Sequence, residues 1–398
     1  MKTFLLRLNL LLLSLFIGQQ MITAQSLSWA GQVSGPNSKQ LNGMVTDSQG
    51  NLYSIISFTG TADIDPGPGA VNLTTTRVNY DHDFVVIKQA PDGTLLWYKR
   101  FGGDSIDIAR RMTISPDGFL DILGDFRVTV DFDPGPGVVS LSSATANQDP
   151  FYLRLDLDGN FIFVKHFPST INGSLYGRTI TTDNDGNVII GFTFSGTIDF
   201  DPGPADASLT SGGVDIAFCK FSHDGTFLWA KCFAGDYQTD MINTVTTDKD
   251  NNILLGGYFG GTVDFEPGAG VFNMVSAGAN DAFIVKLNPA GDLLWAKQFG
   301  DIANGAGVSG IVSDAAGNIF YAGGFSGSVD LDAGAGVAYF YCNTTDVYLI
   351  KLQPGGEFLW AKTIGNSNTV EYAATLLRSS DGSLIIPVGF NSSFDADP

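Results

Sequence analysis

The chain has 398 residues, with 21 Lys and Arg against 41 Asp and Glu and a formal net charge of −20. Such a surface repels nucleic acid and anionic lipid, which excludes both as partners. Three cysteines (Cys219, Cys232, Cys342) are too few for a disulfide scaffold, so a hydrophobic core must carry the stability.

Residues 1–24 read as a secretory signal peptide. Lys2 and Arg7 precede the apolar run LNLLLLSLFIG, and a cut after Ala24 is expected. The run is short for a membrane span, and no later stretch is apolar for long enough to make one. The protein is therefore expected to be secreted or held at the cell surface. Removing Lys2 and Arg7 leaves 19 basic against 41 acidic groups, a net charge of −22. That balance is compatible with divalent cations.

From residue 25 to 398 the chain reads as one repeat domain. The aromatic that opens each WAK-like motif is Trp29, Trp97, Phe163, Trp229, Trp295 and Trp360, at steps of 68, 66, 66, 66 and 65 residues. The first Asp of a second motif, DFDPGPG in its clearest copy, is Asp63, Asp131, Asp199, Asp264, Asp330 and Asp395, at steps of 68, 68, 65, 66 and 65. Two independent markers keep one period, which overrides a reading by length alone.

One unit is clearest at 307–364. GVSGIVSDAAG is a strand and a turn, and NIFYAGGFSGSVDLD is a long apolar strand running into the acidic motif. After a linker, DVYLIKLQPGGEFLWAKTI is a hairpin with Pro354-Gly355-Gly356 at its tip. The equivalent tips are PDG at 91–93, LDG at 157–159, HDG at 223–225 and PAG at 289–291, the turn chemistry of hairpins. No window carries helical periodicity. The fold class expected is all-β: a β-propeller of four-stranded blades about 66 residues long, five complete and one incomplete. The stretch SLSWAGQVSG matches only the last strand of a unit, so 27–33 is expected, if the ring closes, to complete the sixth sheet by pairing with 371–390. The chain stops inside an acidic motif, which predicts a truncated ring of six or seven blades in full.

The segments DAFIVKLNPAGDLLWAKQFG (281–300) and IVSDAAGNIFYAGG (311–324) resemble the bacterial SBBP-type β-propeller repeat, in its long form with DFDPGPG. The resemblance covers about 28–398. It implies a propeller in an exported protein of the Bacteroidetes type, often followed by a C-terminal sorting domain. It implies no activity, because propellers host enzymes, binders and scaffolds alike.

The acidic pairs are Asp63/Asp65, Asp131/Asp133, Asp199/Asp201, Asp264/Glu266, Asp330/Asp332 and the terminal Asp395/Asp397. Carboxylates at i and i+2 of a strand share a face, and calcium takes six to eight oxygens in irregular geometry. The pairs are thus candidate Ca2+ ligands. Two other readings stand beside this one. Asp can organise a Pro-Gly turn, or the pairs can be neutralised by the basic columns Lys88, Arg154, Lys220, Lys286, Lys351 and Lys99, Lys165, Lys231, Lys297, Lys362. Pro gives way to Ala333 in the fifth copy, and Ala205 stands where the second copy has Gly137, while both acids persist.

No motif of nucleophilic, zinc or phosphate chemistry is present. His82, His166 and His223 sit at different places in their units and are read as solvated. The aromatic column led by Trp97 and Trp229 could stack sugars, but its recurrence beside a hairpin favours packing between blades. The variable linkers at 70–81, 138–148, 205–214, 271–280 and 337–345 are the better candidates for recognition. The function expected is that of an exported, non-enzymatic binding or adhesion module for a glycan or protein at the cell surface. The alternatives are an architectural spacer in a longer surface protein, or a carbohydrate-active hydrolase or lyase. An enzyme of that kind should break the repeat in one blade, and no blade carries acids of its own.

Overall fold

The computed structural model describes residues 29–77, 81–236, 240–300, 306–365, 370–379 and 381–390. The expected signal peptide and the terminal Asp395/Asp397 pair lie outside these. Among the described residues there is no helix, and hence none long and apolar enough to cross a membrane.

Each unit folds as four antiparallel strands in sequence order. In the fifth these are Ala306–Ser313, Ile319–Asp330, Tyr339–Leu352 and Phe358–Ile364. The first strands of the first four units, Lys39–Thr46, Ile108–Ile114, Leu175–Thr182 and Met241–Thr247, each lie against the next and form the hub of the ring. The expected all-β propeller is the fold observed. Beyond residue 370, Glu371–Ala373 pairs with Val388–Phe390 and Leu377–Arg378 with Leu384–Ile385, a partial sixth unit.

Both faces of the sheets in the second to fifth units are covered by neighbours, which is why their second strands read as unbroken apolar runs. Ile189 and Phe218 of the third unit pack in one cluster with Ile242, Leu255 and Phe283 of the fourth. Leu254 and Ile284 of the fourth share a cluster with Val308, Ile319 and Ile350 of the fifth.

The aromatic column is a seam element. Trp97 Nε1 donates to Leu157 O at 3.3 Å and Trp295 Nε1 to Pro354 O at 3.3 Å, each at the hairpin tip of the following unit. The tip glycines are needed there. Gly225 has φ +81°, and a Cβ on it would lie 2.6 Å from the Phe163 ring of the preceding unit. The expectation of packing between blades holds.

Trp29 makes the same contact with the first unit, its Nε1 donating to Pro91 O at 3.0 Å. Ser34 bridges Asp63 in antiparallel fashion. The described part of 27–33 forms no strand, which corrects the expected pairing with 371–390. Residues 29–34 are held by the unit that follows them, through the Trp29 indole and the Ser34–Asp63 backbone pair.

Candidate functional site

The acidic motif occupies equivalent places on the outer rim. In the second unit Thr129–Asp131 pairs with Ser140–Ser142, and in the fourth Thr262–Asp264 pairs with Asn273–Val275. The fourth unit's hairpin also adds to the outermost strand of the third sheet, Ala234 pairing with Asp264 and Gly235 with Val263. The hairpin thereby covers an edge that would otherwise be open.

The carboxylates organise the loop. Asp131 Oδ1 accepts the amides of Asp133 at 3.1 Å and Val139 at 2.8 Å, and Asp133 Oδ1 accepts Gly135 N at 2.8 Å. Asp63 and Asp65 repeat this with Asp65, Val71 and Gly67, and Asp199 and Asp201 with Asp201, Ala207 and Gly203. Asp330 and Asp332 do the same with Asp332, Ala338 and Gly334. Glu266 keeps the arrangement through its longer side chain, Oε1 accepting Gly268 N at 3.1 Å while Asp264 Oδ1 accepts Glu266 N and Phe272 N. Each pair thus commits half of its oxygens to backbone amides. A calcium ion there would need the remaining two, with backbone carbonyls and water. Among the described residues no three His, Cys, Asp or Glu side chains converge to hold a metal.

The ion pairs of the basic columns run elsewhere. Lys220 meets Asp183 at 2.9 Å and Lys286 meets Asp248 at 2.9 Å, both acids opening the turn between first and second strands. In the second unit that turn opens with Ser115, and Arg154 instead pairs with the buried Asp121 at 2.7 Å. Lys220 and Lys286 also donate to Pro289 O and Pro354 O, tying each unit to the next. Lys231 reaches Asp292 of the following unit at 2.9 Å.

A second acidic column was not singled out in the sequence: Asp83, Asp149, Asp215, Asp281 and Asp346, all buried, at the start of the third strand in the first, second and fourth units and within the longer third strands Ser208–Phe221 and Tyr339–Leu352 of the other two. Asp107, Asp240 and Glu371 join it at three seams. Burial, then the neighbouring acids, push Asp107 and Asp240 up to about 7 despite amide donors to each. Burial raises Asp83 to about 6 against the pull of Arg100, and burial with Glu371 raises Asp346 to about 6. At the second seam position His166 Nε2 meets Asp149 Oδ2 at 2.7 Å. His166 is therefore a half-buried partner of an acid rather than a solvated side chain. Cys219, Cys232 and Cys342 are free thiols.

The hub holds a cavity of about 410 Å³, within the range of small-solute sites. Its wall is built by one repeated device. Each first strand carries a register shift at the same place: between Leu41 and Gly43, Ala109 and Arg111, Gly177 and Thr179, Ile242 and Thr244, and Val308 and Gly310. A bulge adds one residue and re-aims its side chain. The bulged residues are Asn42, Arg110, Arg178, Asn243 and Ser309, and all five line the cavity, with Ala374 of the sixth unit. Their side chains are braced from the second strands and the next unit. Asn42 Nδ2 donates to Ser57 Oγ and Ala109 O, both at 2.7 Å. Arg110 Nε donates to the buried Asp125, and Arg178 Nε to Thr193 Oγ1 at 3.2 Å. Asn243 Nδ2 donates to Val308 O at 2.9 Å.

These positions vary between copies, so repetition of residue type does not mark them in the sequence. The available signal was the repeat's own register. Asn42, Arg110, Arg178, Asn243, Ser309 and Ala374 stand at steps of 68, 68, 65, 66 and 65.

No family model matches the chain. An uncharacterised WD repeat-containing protein of Acanthamoeba polyphaga mimivirus is 26% identical over 277 residues, 61% of this chain. The chain spans about a fifth (20%) of the length of that curated relative. This is a β-propeller repeat protein. Among solved structures, a polysaccharide lyase described as an ulvan lyase has a TM-score of 0.44 at 12% identity, over 88% of this chain and 76% of its own. A Bacteroides caccae protein of unknown function has a TM-score of 0.28 at 11% identity, over 70% of this chain and 89% of its own.

Proposed function

We propose that the protein is an exported, non-enzymatic binding module that engages a surface glycan or protein at its hub. The observation that carries this is the bulge column. A strict repeat builds an identical bulge five times, then fills it with different polar side chains around one cavity. Fixed frames with varied, convergent polar groups are how binding sites acquire specificity. The hub wall carries arginines and amides rather than a carboxylate pair placed for acid–base work, which favours binding over hydrolysis or elimination.

A second reading has an observation of its own. The rim hairpins expose apolar side chains, with Val271 74%, Tyr339 69% and Tyr341 68% accessible. These would serve adhesion along the rim and fit the variable linkers. The test is a binding panel of neutral, carboxylated and sulfated polysaccharides, with product analysis after long incubation. Saturable binding without chain shortening supports the module reading. Shortened chains support the enzyme, and no binding at all supports the spacer.

A further inference from the structure

The hub is positively charged in a protein whose net charge is −20. Arg110, Arg111 and Arg178 all line the cavity, and no acidic residue does. Asp125, fully buried behind the wall, pairs with Arg110. Arg111 Nη1 donates to Arg110 O at 2.9 Å, and Arg178 bonds the neutral Thr193. Neither Arg111 nor Arg178 has an ion pair among the described residues. The cavity therefore carries two guanidinium charges in excess. Desolvation, then the charge of Arg110, lowers the pKa of both, with Asp125 pulling the other way at Arg178.

The fold does not require this charge. Asn42, Asn243 and Ser309 fill the same bulge in other units without it. Like charges gathered in a cavity oppose folding unless something negative shares the space. The guanidinium fork matches oxyanions in two-point contact, while Asn42, Asn243 and Ser309 offer hydrogen-bonding groups around the rest of the ring.

Resting on the hub-binding reading above, we infer that the cavity is an anion site, taking a polar solute that bears carboxylate, sulfate or phosphate groups, with Arg111 and Arg178 as its charge partners. One chemistry covers carboxylates and tetrahedral oxyanions, and the experiment separates them.

Isothermal titration of the exported chain with sodium malonate and with sodium sulfate, each against sodium chloride at matched ionic strength, reads the site directly. Titration is preferred to melting because sulfate stabilises proteins generally by exclusion. At least one anion should bind saturably at one site. Arg111→Gln should weaken it at least tenfold, and Arg111→Gln with Arg178→Gln should abolish it. Preference for malonate assigns carboxylates, and preference for sulfate assigns tetrahedral oxyanions. No saturable binding of either anion, or binding unchanged in the double variant, overturns the inference. The two readings fail separately: neutral polysaccharide binding that is lost in Ser309→Trp but kept in both arginine variants would retain the hub and reject the anion, whereas polysaccharide binding kept in Ser309→Trp would reject the hub.

Discussion

Asp131 Oδ1 accepts the amide of Val139 at 2.8 Å, eight residues along the chain, closing the rim loop with a side chain. The same oxygen holds the amide of Asp133. Hydrogen bonds to a charged acceptor contribute about 1.5–3 kcal/mol each when lost singly. Asp131→Ala should therefore destabilise the chain by about 2–4 kcal/mol, and Asp131→Asn, which keeps an acceptor, by clearly less. Urea unfolding in millimolar calcium and in chelator checks this. The turn account expects superimposable curves for the unmutated protein. Stabilisation by calcium that vanishes in Asp131→Asn would assign the pair to a cation.

Gly225 sits at φ +81° beneath Phe163 of the preceding unit. An alanine there carries left-handed strain and pushes on the ring, so Gly225→Ala should lose about 2 kcal/mol or more. Gly212, with nothing within 4 Å of its Cβ position and no left-handed φ, is the control and should tolerate alanine. Denaturant midpoints at constant m-value measure both.

Asp240 faces Asp215 across the seam between third and fourth units, with Asp236 and Cys232 nearby. Its folded pKa of about 7 lies above the unfolded value of about 3.9. The folded state holds that proton more tightly, so its contribution is fully present below pH 4 and lost as pH rises to about 7. Asp240→Asn keeps an acceptor for Gly260 N and removes the titration. The variant should be more stable than the parent by about 2–4 kcal/mol at pH 8 and nearly equal to it at pH 4. A constant difference between the two from pH 4 to pH 8 would rule out titration of this seam.

Much of this architecture was legible because it is dictated by local chemistry. Asp131, Asp133 and Gly135 recur since one loop must be rebuilt in every unit, and Trp97 recurs since each hairpin tip needs a cover. The carboxylate column of Asp83, Asp149, Asp215, Asp281 and Asp346 was equally periodic, but an Asp just ahead of an apolar run reads as solvent-facing. Only the assembled seam buries it. The hub was least legible. Arg110 and Arg178 are extra residues in bulged strands, which period-two alternation cannot place, and no single unit contains the cavity they share. Pairing of the basic columns with the rim acids was one of the open readings, and Lys220 and Lys286 instead reach Asp183 and Asp248, because sequence places a residue in its unit but not the turn its side chain reaches.

The claim that recognition occurs at the hub is tested most directly by one comparison. The polysaccharide retained best in the binding panel is titrated against Ser309→Trp, which fills the cavity, and against Tyr339→Ala with Tyr341→Ala, which strips the rim. A hub site predicts at least a tenfold loss of affinity in Ser309→Trp and less than a twofold change in the rim variant. The reverse pattern, an intact affinity with the cavity filled and a loss with the rim stripped, would contradict the account.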